Sequence, residues 1–260
     1  MSDAPAGSEI LLYDYPASIC SQMARLALVE KGVSFERRSV DIMVTAEQFE
    51  PWYTALNPKA VVPTLAIGEE IVTDTLRIVG RVDLDFPGPN LTPADHDGSA
   101  EMNRMMAEIM GLHYGVLLYS RRLDHDGGSP TVIARGDFLR EQRVKFPQRA
   151  EILDRRIAGN ERLQAILANP AETEGHIDQA RSLVRRINDG LADAPFVCGD
   201  HYTLADTFAT PALARFRLHG FDGWWSGGDN SNVAAYYRRM QARPSWSHAE
   251  IIDSGSERDL

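Results

Sequence analysis

The chain has 260 residues, of which 43% are apolar and 25% are charged. These fractions are typical of a globular protein, so extensive disorder is excluded and either one large domain or two smaller ones is expected. The formal net charge of −10 at pH 7 argues against nucleic acid and anionic membranes as partners. No apolar run approaches the ~18 residues of a membrane span, and residues 1–9 lack the pattern of a secretory signal. We therefore expect a cytoplasmic protein.

The first 85 residues alternate between strand and helix patterns. The predicted strands are 9–13, 34–41, 61–65 and 70–73, and the predicted helices are 19–31, 45–56 and 75–84. Gly32 stands where a helix commonly ends in the left-handed conformation. Only a turn at Gly68 separates the last two strands, so they should form an antiparallel hairpin. The predicted fold class of this part is α/β, in the order β-α-β-α-β-β-α.

A linker is predicted at 86–93, where three prolines and one glycine fall within eight residues. After it the strand patterns disappear. The sequence therefore predicts an α/β domain at 1–85 and an all-α helical domain at 94–260. The predicted helices of the second domain are a long one from 92 or 95 to about 120, followed by 132–145, 147–168, 176–191, 203–219 and 231–242.

The chain has two cysteines, Cys20 and Cys198, too few and too far apart for a disulfide framework or a zinc site. No metal site is expected. Cys198 follows an apolar stretch and is expected to lie in the core. Cys20 lies with Ser18 at the start of the first helix, where amide groups and the helix dipole favour an anion. A hydroxyl or thiol there can donate to a bound thiolate, or the thiol can itself ionise. The alternative is that Ser18 only caps the helix and Cys20 only packs.

Proline follows Val62 at the start of the third predicted strand. A cis bond before Pro63 would turn the main chain of Val62 outward, toward a peptide ligand, whereas a trans proline would simply occupy an edge strand. At the start of the third helix, the Thr75 hydroxyl suits a carboxylate and the Asp74 side chain suits an ammonium group. Together they match the head of an α-amino acid, although helix capping explains the same residues.

Thr203 and Asp206 have the spacing of a capping box at a helix start. We expect them to stabilise the helical domain and to take no part in chemistry.

Taken together and in this order, these motifs resemble the glutathione S-transferase superfamily. The runs 18–25 and 56–65 are most similar to its zeta class and to the glutathione-dependent reductive dehalogenases of halogenated hydroquinones. There are two departures from the zeta pattern: Ile19 replaces a serine, and Asp74–Thr75 replaces the usual Glu or Gln followed by Ser. The resemblance implies a thioredoxin-like N-terminal domain, the all-helical C-terminal domain of the glutathione transferase fold, and a homodimer.

The resemblance also implies glutathione as cosubstrate and a small aromatic electrophile as second substrate. Ser18 would donate a hydrogen bond to the glutathione thiolate. Cys20 would then attack the sulfur of the aryl conjugate and release the reduced aromatic. The residues implied to bind glutathione are Gln48, Val62, Pro63, Asp74 and Thr75. The residues implied to contact the electrophile, all on the predicted long helix, are Met106, Met110, His113 and Tyr114.

Four other activities stay open on the sequence. Two are a glutathione-dependent cis-trans isomerase and an aryl-ether-cleaving transferase, neither of which needs Cys20. The third is a disulfide reductase that works through Cys20. The fourth is a non-catalytic binding module with the same fold, because fold does not fix function.

Overall fold

The computed structural model describes residues 9–124 and 127–254. The chain divides into two compact units, one formed by the residues up to Met110 and from Val184 onward, the other by Gly111–Leu183. The predicted division into 1–85 and 94–260 is a different one, drawn at a linker rather than from packing, and it stays a prediction. Residues 1–8, which make up most of the segment expected not to be a secretory signal, lie outside the described residues.

The α/β part comes first and only helices follow it, as the predicted fold class requires. Two short 3-10 helices lie at Glu47–Phe49 and Pro147–Arg149. No helix in the described ranges is both long and apolar enough to cross a membrane. The elements are β1 Ile10–Asp14, α1 Ile19–Lys31, β2 Glu36–Ser39, α2 Pro51–Leu56, β3 Thr64–Ile67, β4 Glu70–Thr73, α3 Thr75–Asp85, α4 His96–Met110, α5 Tyr114–Tyr119, α6 Pro130–Lys145, α7 Ala150–Leu167, α8 Pro170–Gly190, α9 Leu204–Leu218, α10 Gly223–Ser226, α11 Ser231–Gln241 and α12 Pro244–His248.

The four strands form one mixed sheet in the order β2-β1-β3-β4. β1 runs parallel to β2 and antiparallel to β3, and β3 and β4 form the predicted hairpin through Gly68, whose φ is 58°. Tyr13 pairs with Thr64, which in turn pairs with Thr73. The end of β1, the start of β3 and the end of β4 therefore share one edge of the sheet, and the segments attached there are neighbours.

The prediction of one helix over 45–56 is wrong. A 3-10 turn at Glu47–Phe49 and a separate α2 replace it. Pro51 begins α2 because proline has no amide hydrogen to donate and fits only the first turn of a helix. Ala46, at φ 60°, adds a left-handed residue before the 3-10 turn.

The predicted long helix to about residue 120 is also wrong, since α4 ends at Met110 and α5 begins at Tyr114. Gly111 follows α4, and glycine is a poor helix former. His113 then leaves the helical conformation, with φ −86° and ψ 78°, and its side chain accepts a hydrogen bond from the Val116 amide. That bond satisfies one of the amides at the start of a new helix.

A buried ion pair fixes helix α1 in the first unit, where α1 packs against α3, α9 and α12. The guanidinium of Arg25 and the carboxylate of Asp14 are both 0% exposed and in direct contact. Arg25 also donates to the carbonyl oxygens of Ala249 at 2.7 Å and Pro16 at 3.0 Å, and Arg37 reaches Asp14 at 3.0 Å. The network joins β1, the turn after it and the segment following α12.

The predicted capping box at the start of α9 is confirmed. The buried carboxylate of Asp206 accepts hydrogen bonds from the amides of Thr203 at 2.9 Å and Val197 at 3.0 Å, and from the Tyr236 hydroxyl at 2.9 Å. Burial nevertheless raises the pKa of Asp206 to about 6, because the hydrogen bonds that favour the charged form offset only part of the desolvation.

The substitution Asp206→Asn should change how stability depends on pH. The pKa of Asp206 is higher in the folded chain than in the unfolded chain, so its contribution is fully present below about pH 4 and is lost as the pH rises through about 6. We expect the excess in unfolding free energy of wild type over Asp206→Asn to shrink by up to about 3 kcal/mol across that window. Urea unfolding at several pH values measures it, with the exposed Asp200→Asn as control. An excess that grows with pH would contradict the account.

Candidate functional site

The sequence motifs at the start of α1, around Pro63 and at the start of α3 meet at one edge of the sheet. The turn after β1 carries Ser18, the loop before β3 carries Val62, and the residue after β4 is Asp74. The pairing of Tyr13 with Thr64 and of Thr64 with Thr73 brings these three segments together.

Ser18 is the N-cap residue of α1, with its hydroxyl oxygen accepting from the Ser21 amide at 3.3 Å. Within the described residues its own O–H has no acceptor, so it can donate to a ligand. Cys20 is the second residue of α1 and is partly exposed. The Ser18 hydroxyl and the Cys20 thiol therefore belong to residues two positions apart, both at the amino end of α1, where the helix dipole is positive.

Two arginines hold the turn that precedes Ser18. Arg25 donates to the carbonyl oxygen of Pro16 at 3.0 Å, and the Nη2 of Arg215 donates to the carbonyl oxygen of Ala17. Sequence reasoning missed Arg215. Its signal was a basic residue inside an otherwise apolar stretch of α9, in which Asp206 is the only other charge between 204 and 216.

The bond between Val62 and Pro63 is cis. The first paired residue of β3 is Thr64, so Val62 lies outside the sheet ladder. Across the part of the chain that the structure describes, the main-chain N–H and C=O of Val62 take part in no hydrogen bond. Both groups can therefore pair with the backbone of a peptide ligand.

A buried polar cluster fixes the loop that carries Pro63. The Tyr53 hydroxyl and the Asn57 amide both donate to the carbonyl oxygen of Val61, at 2.6 and 2.8 Å. Both also lie 3.0 Å from the Thr64 hydroxyl oxygen. Tyr53, Asn57 and Thr64 are fully buried. The cluster ties α2 to the start of β3 and so holds the backbone of the loop in place.

Asp74 caps α3, with one carboxylate oxygen accepting from the amides of Leu76 at 3.1 Å and Arg77 at 3.4 Å. Its other oxygen accepts no hydrogen bond from the described residues, and the side chain is exposed. Thr75 is buried, and its side chain lies close enough to the Cys20 thiol to lower the pKa of that thiol. The pair predicted to bind an amino-acid head, Asp74 and Thr75, therefore lies next to Cys20, one of the two predicted catalytic residues.

Burial raises the pKa of the Cys20 thiol above its ordinary value. The hydrogen bond with the Thr75 side chain and the charge of Arg215 lower it, while the carboxylate of Asp74 raises it. Because the net direction is upward, the Cys20 thiol is protonated at neutral pH in this state. The nucleophilicity of Cys20 therefore depends on the charges of Asp74 and Arg215 and on how a ligand alters them.

Gln48 is buried, and its Oε1 has no partner within the described residues. Its Nε2 makes a long contact of 3.5 Å to the carbonyl oxygen of Ile42. The neighbouring loop is held by Asp41, whose carboxylate accepts from the amides of Met43 at 2.8 Å and Val44 at 2.9 Å. A buried amide oxygen without a partner in the described residues is suited to a hydrogen-bond donor of a polar ligand.

The residues predicted to contact an electrophile belong to different units. Met106 is buried on α4 and Met110 is its last residue, both in the first unit. His113 and Tyr114, placed on the same helix by the sequence prediction, lie at the start of α5 in the second unit. The ring centroids of His113 and His176 lie 5.2 Å apart. Burial, and after it the charge of His176, lower the pKa of His113. A role for these four residues in substrate binding stays a prediction.

Cys198 was expected in the core but is partly exposed, at a turn closed by Phe196 and Gly199. Desolvation, then the charges of Asp206 and Glu101, raise the pKa of its thiol to about 12. Cys198 is therefore unsuited to nucleophilic chemistry. Across residues 9–124 and 127–254, no group of three or more His, Cys, Asp or Glu side chains could hold a metal ion.

Comparisons with known proteins agree over both parts of the chain. Residues 12–90 match the family model of the glutathione S-transferase N-terminal domain, and residues 170–239 match that of the C-terminal domain. The tetrachloro-p-hydroquinone reductive dehalogenase of Sphingobium chlorophenolicum is 33% identical over 94% of this chain and 96% of its own length. A 2,5-dichlorohydroquinone reductive dechlorinase of Sphingobium indicum is 26% identical over 92% of this chain and 82% of its own.

Solved structures share the fold. A theta class glutathione S-transferase from Xanthomonas axonopodis pv. citri, with glutathione bound, superposes with a TM-score of 0.67 at 18% identity, covering 95% of this chain and 99% of that one. A beta-etherase from Sphingobium sp. strain SYK-6 gives 0.69 at 20% identity, covering 92% and 98%.

The shared carbonyl of Val61 makes Tyr53→Phe and Asn57→Ala non-additive. Each single variant leaves that oxygen one donor, whereas the double variant leaves it none. We expect the double variant to lose about 1 kcal/mol more unfolding free energy than the sum of the single losses. Urea unfolding of all four proteins measures this, with Thr54→Ala on the same helix as control. Simple additivity would show that the cluster does not act as a unit.

Proposed function

The chain belongs to the glutathione S-transferase family, and on that premise we propose that it is a glutathione-dependent reductive dehalogenase of halogenated hydroquinones. The observation that carries the proposal is the Cys20 thiol, which would be a second thiol in the site beside that of bound glutathione. Cys20 lies two residues after Ser18 at the amino end of α1, beside the Thr75 side chain at the start of α3. The relatives named for reductive dehalogenation and dechlorination of hydroquinones support the same reaction class.

Groups along the sheet edge fit glutathione, the cosubstrate of the family. The free main-chain groups of Val62 suit the cysteinyl backbone. The exposed oxygen of Asp74 suits the γ-glutamyl ammonium, and Thr75, the first residue of α3, suits its carboxylate. The buried, unpartnered oxygen of Gln48 suits a polar group of the glycyl end. The proposed contacts are Ser18, Gln48, Val62, Pro63, Asp74 and Thr75.

Ser18 activates the first half of the reaction. Its hydroxyl donates to the glutathione thiolate, and the amino end of α1 adds a favourable potential, so the pKa of the bound thiol falls toward neutrality. The thiolate then forms a bond to the halogen-bearing ring carbon, and the halide leaves with the electron pair of its former bond.

Cys20 carries the second half. Its thiolate attacks the sulfur of the aryl thioether, so a sulfur–sulfur bond forms while the sulfur–carbon bond breaks and the ring carbon takes a proton. The ring gains two electrons and the two sulfur atoms are oxidised to a disulfide. A second glutathione attacks that disulfide, regenerates the Cys20 thiol and leaves as glutathione disulfide.

The proposal includes a role in aromatic catabolism, a homodimer and a cytoplasmic location. The last is supported by the two cysteines, both of which are free thiols, as is usual in a reducing compartment.

Cys20→Ser separates the two halves. We expect the variant to release halide and form the glutathionyl hydroquinone, but to yield no reduced hydroquinone, because a serine hydroxyl cannot form the disulfide. Chromatography of the products from tetrachlorohydroquinone and glutathione measures both.

Cys198→Ser is the matched control and should keep wild-type activity. A Cys20→Ser variant that still produces the reduced hydroquinone would overturn the two-step scheme. A wild-type enzyme that isomerises maleyl compounds or cleaves aryl ethers but releases no halide would overturn the reaction class.

A further inference from the structure

We propose that Arg215 is a positioning residue for the second half of the reaction, holding a cation beside Cys20 so that the thiolate can form. The inference rests on the proposed function for its meaning, but the pairing of the two side chains can be tested without any substrate.

Arg215 is the point at which α9 reaches the candidate site. Nearly all of α9 is buried, including Ala214 and Phe216 on either side of Arg215, whereas Arg215 is partly exposed. Its guanidinium leaves the helix and donates to the carbonyl oxygen of Ala17, the residue before Ser18. The hydrogen bond fixes the positive charge at the start of α1.

A cation at the amino end of a helix normally opposes the helix dipole and is unfavourable there. Here the partial charge of α1 and the full charge of Arg215 add up over the same few ångströms. Two positive potentials in one place stabilise an anion between them, and Cys20, the second residue of α1, is the side chain there that can become one.

Two charged groups face the Cys20 thiol, Asp74 from the start of α3 and Arg215 from α9. They act in opposite directions, but burial is the main cause that raises the pKa of the thiol, and Asp74 adds to it, so the free enzyme keeps the thiol protonated. An ammonium group paired with Asp74 would remove the charge that opposes Arg215, while burial of the thiol remains. Binding of the γ-glutamyl end of the conjugate therefore lowers the pKa of Cys20, and the cation of Arg215 is the nearby full charge that then favours its thiolate.

Direct titration of Cys20 tests the pairing. In a Cys198→Ser background Cys20 is the only thiol of the chain, and thiolate absorbance near 240 nm reports its ionisation once the signal of the Cys20→Ser, Cys198→Ser double variant is subtracted. We expect Arg215→Gln to move the midpoint to higher pH by about one unit and to slow alkylation by iodoacetamide about tenfold below the midpoint. Arg215→Lys should restore most of both.

Arg217→Gln is the control, because Arg217 lies on the same helix, is more exposed and faces Asp253. It should titrate as the parent does. S-methylglutathione, which has no thiol, should lower the midpoint of the parent by pairing its ammonium with Asp74. An Arg215→Gln protein that titrates like the parent overturns the proposal, and so does an Arg215→Lys protein that is folded by circular dichroism but titrates like Arg215→Gln.

The rates of halide release and of hydroquinone formation by the Arg215 variant give a second test. Arg215→Gln should slow the second half more than halide release and so accumulate the glutathionyl hydroquinone, since only the second half needs the Cys20 thiolate. Equal losses in both halves would mean that Arg215 acts only by holding the turn before Ser18, and would overturn the proposal. A wild type that releases no halide refutes the proposed function instead, and the titration still decides the pairing.

Discussion

The buried contact between Arg25 and Asp14 is the interaction on which the site depends. Taking two charges out of water is expensive, and such a pair is stable only when further hydrogen bonds satisfy both groups. Arg25 meets this requirement with the carbonyl oxygens of Pro16 and Ala249, and Asp14 meets it with Arg37. The demand for full hydrogen bonding fixes the turn after β1 against the segment that follows α12, and Ser18 and Cys20 are placed by that turn.

The chemistry of the site follows from helix ends that meet at one edge of a sheet. Register brings the starts of α1 and α3 together, and Thr75 then contacts Cys20. A thiol at a helix amino end is usually acidic, but burial and the carboxylate of Asp74 outweigh that effect at Cys20. The Cys20 thiol therefore stays protonated until the charges around it change.

Local signals in the sequence predicted much of the fold. Gly32, Gly68 and the box of Thr203 with Asp206 each act within a few residues, so their positions could be read directly. The sequence does not predict the break between α4 and α5, because His113 fits the helix pattern, although its side chain caps the next helix. The 3-10 turn at Glu47–Phe49 is not predicted either, because the residues before Pro51 fit the same helix pattern as those after it.

The site was predictable only in part. Ser18, Cys20, Val62 and Asp74 lie in short motifs, and the order of those motifs carried the resemblance. The contact of Arg215 with Ala17 joins residues 198 positions apart, and no local pattern encodes it. The environment of the Cys20 thiol depends on such contacts, so a sequence could suggest a reactive thiol but not the direction of its pKa.

Mass spectrometry of Cys20 after a single exposure to the aryl conjugate tests the central claim most directly. The enzyme is mixed with glutathionyl trichlorohydroquinone in the absence of free glutathione, so that the Cys20 disulfide cannot be cleared. The account predicts one equivalent of reduced hydroquinone and one glutathione attached to Cys20, with Cys198 unmodified. Release of the hydroquinone without an adduct on Cys20, or an adduct elsewhere, would contradict it.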